Sequence, residues 1–449
     1  MMGKYQGYEK YKDSGVEWLG EIPEHWEVKR TKFFVTKIGS GKTPKGGSEI
    51  YVDSGVMLIR SQNVYDDGLR LDDVVYIDDE IDNLQINSRV FPNDILLNIT
   101  GASIGRVSLV PPNFIKANVN QHVCIFRPDL KKIFPPYLHL LLCSKQGKEQ
   151  IFSYENGTSR EGLNFQQAGN LTFAIPPPDE QEIIARFLDH KTKQIDDLIA
   201  KKEALLEKLD EKRTALISHA VTKGLDPSVP MKDSGIEWLG KIPKHWSLLL
   251  LRLRYLIELG KMLDQRRISG DYLVQYLRNV DVQWDFINQN DLPEMDINPN
   301  EYERYLVKNG DLLVCEGGES GRSAIVQGVD GILGFQKAIH RLRVIGTEEI
   351  PRFLFYIFYY LVKLGVFVAE GNPNTITHLT VEKLKLYRLP KPPKKEQQAI
   401  VTYLDHKTAE IKQQKAKILE AIELLKEYRT ALITNAVTGK IDVRQVPIP

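Results

Sequence analysis

One long segment of this chain occurs twice. The sequence from Lys12 to Trp26 returns almost unchanged from Lys232 to Trp246. Further on, Phe187-Leu-Asp-His-Lys-Thr recurs as Tyr403-Leu-Asp-His-Lys-Thr, and each copy is followed by Arg-Thr-Ala-Leu-Ile. A repeat of this kind indicates one structural unit used twice. Because the stretches between the matched segments share little sequence, we expect two related modules with different surfaces.

The composition is that of an ordinary globular protein. Of the 449 residues, 27% are charged and 42% are hydrophobic, which argues against disorder and fibrous structure. No stretch approaches the roughly 20 apolar residues of a membrane span, and the N-terminus lacks the apolar core of a signal peptide. Cys124, Cys143 and Cys315 are too few and too scattered for a disulfide framework. We therefore expect a cytoplasmic protein that does not contact a membrane.

A long helix is predicted at the end of each half. From about Asp179 to Ala220, Ile and Leu recur at alternating spacings of four and three residues, and the pattern returns near the C-terminus. This heptad pattern is typical of helices that pack against one another. The predicted seam and subunit-interface positions are Ile184, Leu188, Ile195, Leu198, Leu205, Leu209 and Leu216 in the first helix, and Ile400, Leu404, Ile411, Ile418, Leu425, Tyr428 and Leu432 in the second.

The variable stretches are predicted to have a mixed α/β (α+β) fold. Short apolar runs such as Val56–Ile59, Val123–Phe126 and Asp311–Cys315 fit buried strands, and glycine-rich turns separate them. The predicted segments are a conserved opener (1–26), a first variable domain (27–175), a long helix (176–226), a second opener (227–246), a second variable domain (247–390), and a long helix with a tail (391–449).

Charge and side-chain chemistry suggest contacts with nucleic acid. The net charge is only +1, but Val28 to Ser48 contains six cations and no acid, and an acidic run from Asp66 to Asp82 follows. Cations beside glycines can approach phosphates, whereas Arg, Asn, Gln, Ser and Thr side chains can bond to base edges. The candidate DNA-binding residues are Lys37, Ser40, Lys42, Thr43, Lys45, Arg60, Gln62, Asn63, Arg160, Arg266, Arg267, Arg278, Asn279, Asn374, Thr377 and His378.

No catalytic or metal-binding pattern is evident. Gly39–Thr43 resembles the end of a phosphate-binding loop, but Thr36 stands where that motif requires glycine. Methyltransferase tetrads and glycine-rich dinucleotide loops are absent, and no histidine pair has the helical spacing of a metal site. We predict no catalytic residue, no metal ligand and no cofactor in this chain.

These features together resemble the specificity subunit of type I restriction–modification enzymes. The resemblance rests on two variable modules, each followed by Pro-Pro, Glu-Gln, Leu-Asp-His-Lys-Thr and a long helix ending in Arg-Thr-Ala-Leu-Ile, and on the repeated opener. It covers essentially the whole chain. It implies that residues 27–175 and 247–390 are target-recognition domains, related by a pseudo-twofold axis and separated by two antiparallel helices.

The resemblance also implies a function and partners. Each target-recognition domain would recognise one half of a split, asymmetric site in double-stranded DNA, and the helices would act as a spacer and a docking surface. Two methylation subunits would supply S-adenosylmethionine chemistry. Restriction subunits would supply cleavage driven by ATP and dependent on Mg. This chain itself would be non-catalytic.

Two other functions fit the sequence less fully. A similar subunit could serve a related enzyme in which nuclease and methylase are fused. A coiled-coil scaffold whose variable domains bind protein is also compatible with the near-neutral charge and the acidic run. Salt-sensitive DNA binding would distinguish a DNA-recognition subunit from a protein scaffold.

Overall fold

The computed structural model describes residues 5–42, 47–154, 162–263, 270–369 and 379–447. The described chain divides into two compact units. Unit 1 comprises residues up to Lys202 together with those from Glu420 onward, and unit 2 comprises Glu203–Leu419. This division cuts both long helices in the middle, whereas the segmentation predicted from the sequence gave each helix a segment of its own.

The first half of the chain contains fourteen strands and five α-helices among the described residues. The strands are β1 (Tyr11–Asp13), β2 (Glu21–Pro23), β3 (Glu27–Arg30), β4 (Val35–Ser40), β5 (Val56–Ile59), β6 (Val64–Tyr65), β7 (Gly68–Leu69), β8 (Val75–Ile77), β9 (Arg89–Val90), β10 (Ile95–Asn98), β11 (Val107–Leu109), β12 (Ala117–Val119), β13 (Val123–Pro128) and β14 (Thr172–Ile175). The helices are α1 (Asp79–Leu84), α2 (Pro135–Cys143), α3 (Lys145–Ser153), α4 (Phe165–Asn170) and α5 (Pro178–Lys223).

The second half repeats much of this order. Its described strands are β15 (Met231–Asp233), β16 (Lys241–Pro243), β17 (Ser247–Leu250), β18 (Tyr255–Leu259), β19 (Leu273–Leu277), β20 (Val282–Gln283), β21 (Phe286–Ile287), β22 (Glu294–Asp296), β23 (Leu312–Cys315), β24 (Ser323–Ile325), β25 (Gly334–Phe335), β26 (Ile339–Val344) and β27 (Arg388–Lys391). Its described helices are α6 (Tyr302–Tyr305), α7 (Pro351–Lys363), α8 (Val366–Ala369), α9 (Val381–Leu386) and α10 (Lys394–Val437).

Each unit is built around a four-stranded antiparallel sheet of the same topology. The strand order is β11-β10-β13-β4 in unit 1 and β24-β23-β26-β18 in unit 2. A second sheet contains one parallel pair, in the order β8-β5-β12-β9 in unit 1 and β22-β19-β25 in unit 2. The structure therefore confirms the predicted mixed α/β fold, and the two units share a topology despite their different sequences.

Each core lies between the antiparallel sheet and the helices. In unit 1, Trp26, Phe126, Tyr137 and Phe187 join one apolar cluster. In unit 2, Trp246 packs into the corresponding cluster with the aromatic residues of α7. The tryptophan that ends each repeated opener is fully buried, and the opener is therefore part of the core that it precedes.

The long helices begin where the sequence predicts. Pro178 opens α5 after two further prolines, and Asp179 and Glu180 place acidic groups in its first turn, where the helix dipole favours them. With 46 and 44 residues, α5 and α10 are each roughly 65–70 Å long at 1.5 Å per residue. Helix α5 ends before Gly224, whose φ of +76° suits the left-handed position after a helix.

The two helices run antiparallel within each unit. In unit 1, Tyr8 bonds to Glu180 at the start of α5, Tyr11 bonds to Gly439 just beyond α10, and Asp196 pairs with Arg429 at 3.0 Å. In unit 2, Lys415 of α10 pairs with Asp210 of α5 at 2.7 Å. The beginning of α10 lies beside the end of α5, because Tyr403 lines the same cavity as Leu216 and Ala220.

Candidate nucleic-acid interface

In unit 1, the ends of four strands meet at one edge of the fold. The amide of Gly41 donates to the carbonyl of Asn120 at 3.1 Å, and the amide of Asn120 donates to Ile59 at 3.1 Å. The amide of Ile99 donates to His122 at 3.0 Å, and Leu163 donates to Ile99 at 2.9 Å. These bonds gather residues 40–42, 60–62, 99–101, 120–122 and 162–163, which we call the first loop edge.

The close approach of the backbone at this edge requires glycine. A β-carbon on Gly41 would lie 1.5 Å from the carbonyl oxygen of Val119, which no side chain can occupy. Lys42 follows directly and its side chain is exposed. The glycine thus lets β4 run against the end of β12, and the cation emerges at the rim of the first loop edge.

Unit 2 has the same construction. The amide of Gln336 donates to Leu277 at 3.0 Å, Glu316 donates to Ala338 at 3.0 Å, and Leu379 donates to Glu316 at 3.0 Å. These contacts correspond one for one to Asn120 with Ile59, Ile99 with His122, and Leu163 with Ile99. The corresponding residues are 260–262, 278–279, 316–317, 336–338 and 379, which we call the second loop edge.

The candidate DNA-binding residues are distributed unevenly over the structure. Ser40, Lys42, Arg60 and Gln62 lie at the first loop edge, and Arg278 and Asn279 lie at the second. Eight further candidates lie outside the described residues: Thr43, Lys45, Arg160, Arg266, Arg267, Asn374, Thr377 and His378.

Lys37 does not lie at the loop edge. It sits within β4 opposite Arg127 of β13, and its ammonium donates to the carbonyl of Asn87. Partial burial and the neighbouring Arg127 charge lower the pKa of Lys37. The structure therefore gives this lysine an internal role in unit 1 rather than a position beside the other candidates.

The assignment of Asn63 to base recognition was wrong. This side chain is fully buried. Its amide oxygen accepts from the backbone of Arg60 at 2.9 Å, and its amide nitrogen donates to Arg70 at 2.8 Å and Asp73 at 3.0 Å. All three of its bonds hold the turn after β5, because a buried amide must find its partners inside the fold. Asn63 is a structural residue.

In the corresponding turn of unit 2, an ion pair takes the place of the neutral amide. Asp281 replaces the buried asparagine and accepts two bonds at 2.8 Å from the guanidinium of Arg278. Asn279 donates to Gly317 at 3.0 Å and accepts from Arg322 at 2.8 Å. Arg278 and Asn279 therefore shape the second loop edge through internal bonds.

Several acids of the acidic run form ion pairs within unit 1. Asp82 is fully buried and pairs with Arg89 and Lys116. Burial alone would raise the pKa of Asp82, but its hydrogen bonds to these two cations outweigh burial and lower it. Asp66 pairs with Lys148 at 2.8 Å and Asp67 with Arg70 at 2.5 Å. Part of the run is thus neutralised by cations of unit 1, and Asp82 is its buried member.

Two of the predicted seam positions on α5 do not lie at the seam between the helices. Leu198 and Leu205 are 43% and 48% exposed, although both were assigned to the seam. The adjacent Ile199 packs against the core of unit 1, and Leu206 is half-buried. The other predicted positions, from Ile184 to Leu432, are buried or half-buried. On α10, Leu419 and Leu424, which were not predicted seam positions, are more than half exposed.

The family of the chain follows from comparison with known proteins. A family model described as the type I restriction modification DNA specificity domain matches residues 23–208 and again 258–424. The two matches cover more than half of the chain, one in each half. The chain belongs to the type I restriction modification DNA specificity family.

Relatives of this specificity family match over nearly the whole chain. A putative type I restriction enzyme MjaX specificity subunit from Methanocaldococcus jannaschii is 27% identical, with 95% of this chain and 96% of the relative covered. The MjaIX specificity subunit of the same organism is 23% identical, with 99% of both chains covered.

Solved structures show the same fold. A chain from a structural study of complex assembly and conformational transition of a type I R-M system superposes with a TM-score of 0.70 at 15% identity, covering 93% of this chain and 98% of its own. The HsdS subunit from Thermoanaerobacter tengcongensis gives a TM-score of 0.56 at 16% identity, covering 94% and 98%.

Several polar residues of the loop edges were not among the candidates predicted from the sequence. Thr100, Gln121 and His122 lie at the first loop edge and are linked by hydrogen bonds, and Lys337 lies at the second. The available signal was the polar Asn120-Gln-His122 interruption between two apolar strands. That signal is weak, because only strand pairing brings this turn beside the ends of β4, β5 and β10.

Among the described residues, no group of three or more His, Cys, Asp or Glu side chains is placed to hold a metal ion. Burial raises the pKa of the Cys124 thiol to about 12, which disfavours the reactive thiolate. No described helix is long and apolar enough to cross a membrane.

Proposed function

We propose that this chain is the non-catalytic subunit that recognises double-stranded DNA in a type I restriction–modification complex. Each loop edge would recognise one half of a bipartite, asymmetric site. The observation that carries the proposal is that two loop edges with matching backbone bonds present different side chains, with Gln121 and His122 in one and Lys337 and Ala338 in the other.

Recognition would divide between two kinds of contact. Cations at the rim, such as Lys42, would contact phosphates and set the position of the duplex, whereas polar side chains would bond to base edges and provide specificity. The long helices would act as the spacer that fixes the separation of the half-sites along the DNA.

The same helices would dock two methylation subunits. Glu180 and Gln181 at the start of α5 recur as Glu396 and Gln397 in α10 and make the same internal bonds. Because these internal bonds hold the two helix starts in the same way, the exposed faces of the two helices would offer equivalent docking sites to two copies of one partner. S-adenosylmethionine would be bound by the methylation subunits, and ATP and Mg by the restriction subunits.

The test uses the chain purified with its methylation subunits. Sequencing of methylated bases in a host that expresses the complex should reveal a split motif with two unlike halves. Replacing residues 27–175 by the corresponding domain of another family member should change one half only. A simultaneous change in both halves would contradict independent recognition.

Binding measurements separate this function from the alternatives. Affinity for duplexes that carry the motif should fall steeply with salt, because cations that contact phosphates release counterions. A protein scaffold would show no such binding. DNA methylation, DNA cleavage or ATP hydrolysis by the rigorously purified chain alone would contradict the non-catalytic assignment.

A further inference from the structure

Thr100, His122 and Gln121 form a hydrogen-bonded chain at the first loop edge. Oγ1 of Thr100 lies 2.5 Å from Nδ1 of His122, and Nε2 of His122 lies 3.1 Å from the amide nitrogen of Gln121. The backbone of the turn is held as well, since the amide of His122 donates to the side-chain oxygen of Asn120 at 3.1 Å. Gln121 is exposed at the tip of the turn.

The pattern of donors and acceptors sets the direction of each hydrogen bond between Thr100, His122 and Gln121. With the carboxamide nitrogen of Gln121 placed towards the ring, Nε2 of His122 accepts and Nδ1 carries the ring proton, because an amide nitrogen can only donate. Nδ1 then donates to Thr100. The imidazole therefore holds one N–H of Gln121, and the position of its carboxamide depends on two residues that need not contact DNA themselves.

Lys337 occupies the equivalent position in unit 2. Both residues follow a residue whose amide donates to the end of the neighbouring parallel strand, Asn120 to Ile59 in unit 1 and Gln336 to Leu277 in unit 2. Ala338 stands in place of His122 and Gly317 in place of Thr100. The hydrogen bonds that orient Gln121 therefore have no counterpart in unit 2. The Lys337 side chain is exposed.

The two side chains suit different bases. A glutamine amide donates and accepts side by side, which matches N7 and N6 of adenine in the major groove, whereas a lysine ammonium only donates and matches O6 and N7 of guanine. We propose that Gln121 and Lys337 are specificity-determining residues at equivalent positions, Gln121 selecting an adenine in one half-site and Lys337 a guanine in the other, with His122 and Thr100 positioning Gln121. This inference rests on the proposed function.

The test starts from the motif methylated by the unmodified complex, with its halves assigned by exchanging residues 27–175. Binding of the complex to matched duplexes, and to duplexes changed at one base pair at a time, is then measured. Gln121→Ala should lower discrimination at one adenine of the first half-site by about tenfold or more and leave the second half unchanged. Gln121→Glu should shift preference at that pair towards cytosine, whose amino group a carboxylate can accept from. Lys337→Ala should weaken the preference for guanine at one base pair of the second half-site.

The positioning role of His122 and Thr100 is tested by base discrimination at the pair that Gln121 selects. His122→Ala and Thr100→Val should each weaken discrimination at the same base pair as Gln121→Ala, but by less. Combining His122→Ala with Gln121→Ala should add nothing to the single Gln121 variant, because the imidazole acts only through the amide. An additive loss, or a loss at another base pair, would overturn this role.

Matched controls lie beyond the ends of β12 and β23 that are remote from the loop edges. Asn113→Ala changes an exposed amide in the turn before β12, and Lys308→Ala an exposed cation before β23; neither should alter base choice. If Gln121→Ala or Lys337→Ala weakened all duplexes equally, or changed nothing, the assignment of that residue would be overturned. If the unmodified complex bound no DNA and left no motif, the proposed function would fail instead.

Discussion

Nε2 of His25 lies 2.7 Å from Oε2 of Glu180, and the same contact joins His245 to Glu396 at 2.8 Å. In each unit the tryptophan that follows the histidine donates to the other carboxylate oxygen, at 3.2 Å from Trp26 and at 3.0 Å from Trp246. One glutamate thus ties the repeated opener to the first turn of a long helix. This explains why His-Trp and Glu-Gln recur together in the sequence.

Removing these carboxylates should destabilise the two units unequally. Glu180 is almost completely buried and also accepts from Tyr8 at 2.6 Å, whereas Glu396 is 28% exposed. Burial and the bond to Glu180 raise the pKa of Tyr8. We expect Glu180→Ala to cost about 1–3 kcal/mol because it leaves buried donors unsatisfied, and Glu396→Ala to cost less. Thermal unfolding of the full chain measures both. Glu182→Ala, which removes an exposed ion pair with Arg186, should change little.

Neighbouring leucines on α5 should respond differently to a charge. Leu209 is 7% exposed and Leu205 is 48% exposed. Leu209→Lys should lower the unfolding temperature strongly because it buries an ammonium. Leu205→Lys should change the stability by no more than about 0.5 kcal/mol but weaken capture of methylation subunits, because an exposed apolar side chain suits a docking surface. Equal effects of the two variants on unfolding would contradict the observed seam.

Lys42 should supply affinity without specificity. Its exposed ammonium stands at the first loop edge beside Gly41. Lys42→Ala should weaken binding to every duplex and lower the slope of log affinity against log salt by about one. Lys37→Ala is the control, because that ammonium is bound to the carbonyl of Asn87. A changed base preference with an unchanged salt slope would contradict a phosphate contact by Lys42.

Unit 2 should lose stability in mild acid because of His340. This side chain is fully buried on β26, its ring bonds to the carbonyl of Leu379, and burial lowers its pKa to about 4. Between about pH 6.5 and 4 the unfolded chain binds a proton that the folded chain does not. The free energy of unfolding is therefore highest above about pH 6.5, and it falls by about 3 kcal/mol as the pH decreases through this window.

The repeat itself supplies the control for this acid effect. Cys124 of β13 holds the position in unit 1 that His340 holds in unit 2. His340→Cys should make the unfolding temperature of the full chain depend less on pH between 7 and 5. An unchanged dependence would show that other groups cause the acid sensitivity.

Local sequence patterns were sufficient for much of the fold. The start of α5 depends on Pro178 and the acidic residues after it, and the apolar strand runs are contiguous in sequence. The same pattern did not decide between adjacent apolar residues in the middle of α5. Leu198-Ile199 and Leu205-Leu206 place apolar residues at both alternatives, and spacings of four and three fit either phase. Packing of the helix decides which member of each pair is buried.

The sequence by itself determined that this protein is one unit used twice, with variable α/β modules and long helices, because repeats, caps and periodicity are properties of neighbouring residues. Only the tertiary structure decided which polar residues share a surface. Gly41, Ile59, Ile99 and Asn120 meet through strand pairing across long stretches of chain. Hydrogen bonds between distant strand ends leave no periodic signal in the sequence, and for this reason Gln121 and Lys337 emerged only from the folded chain.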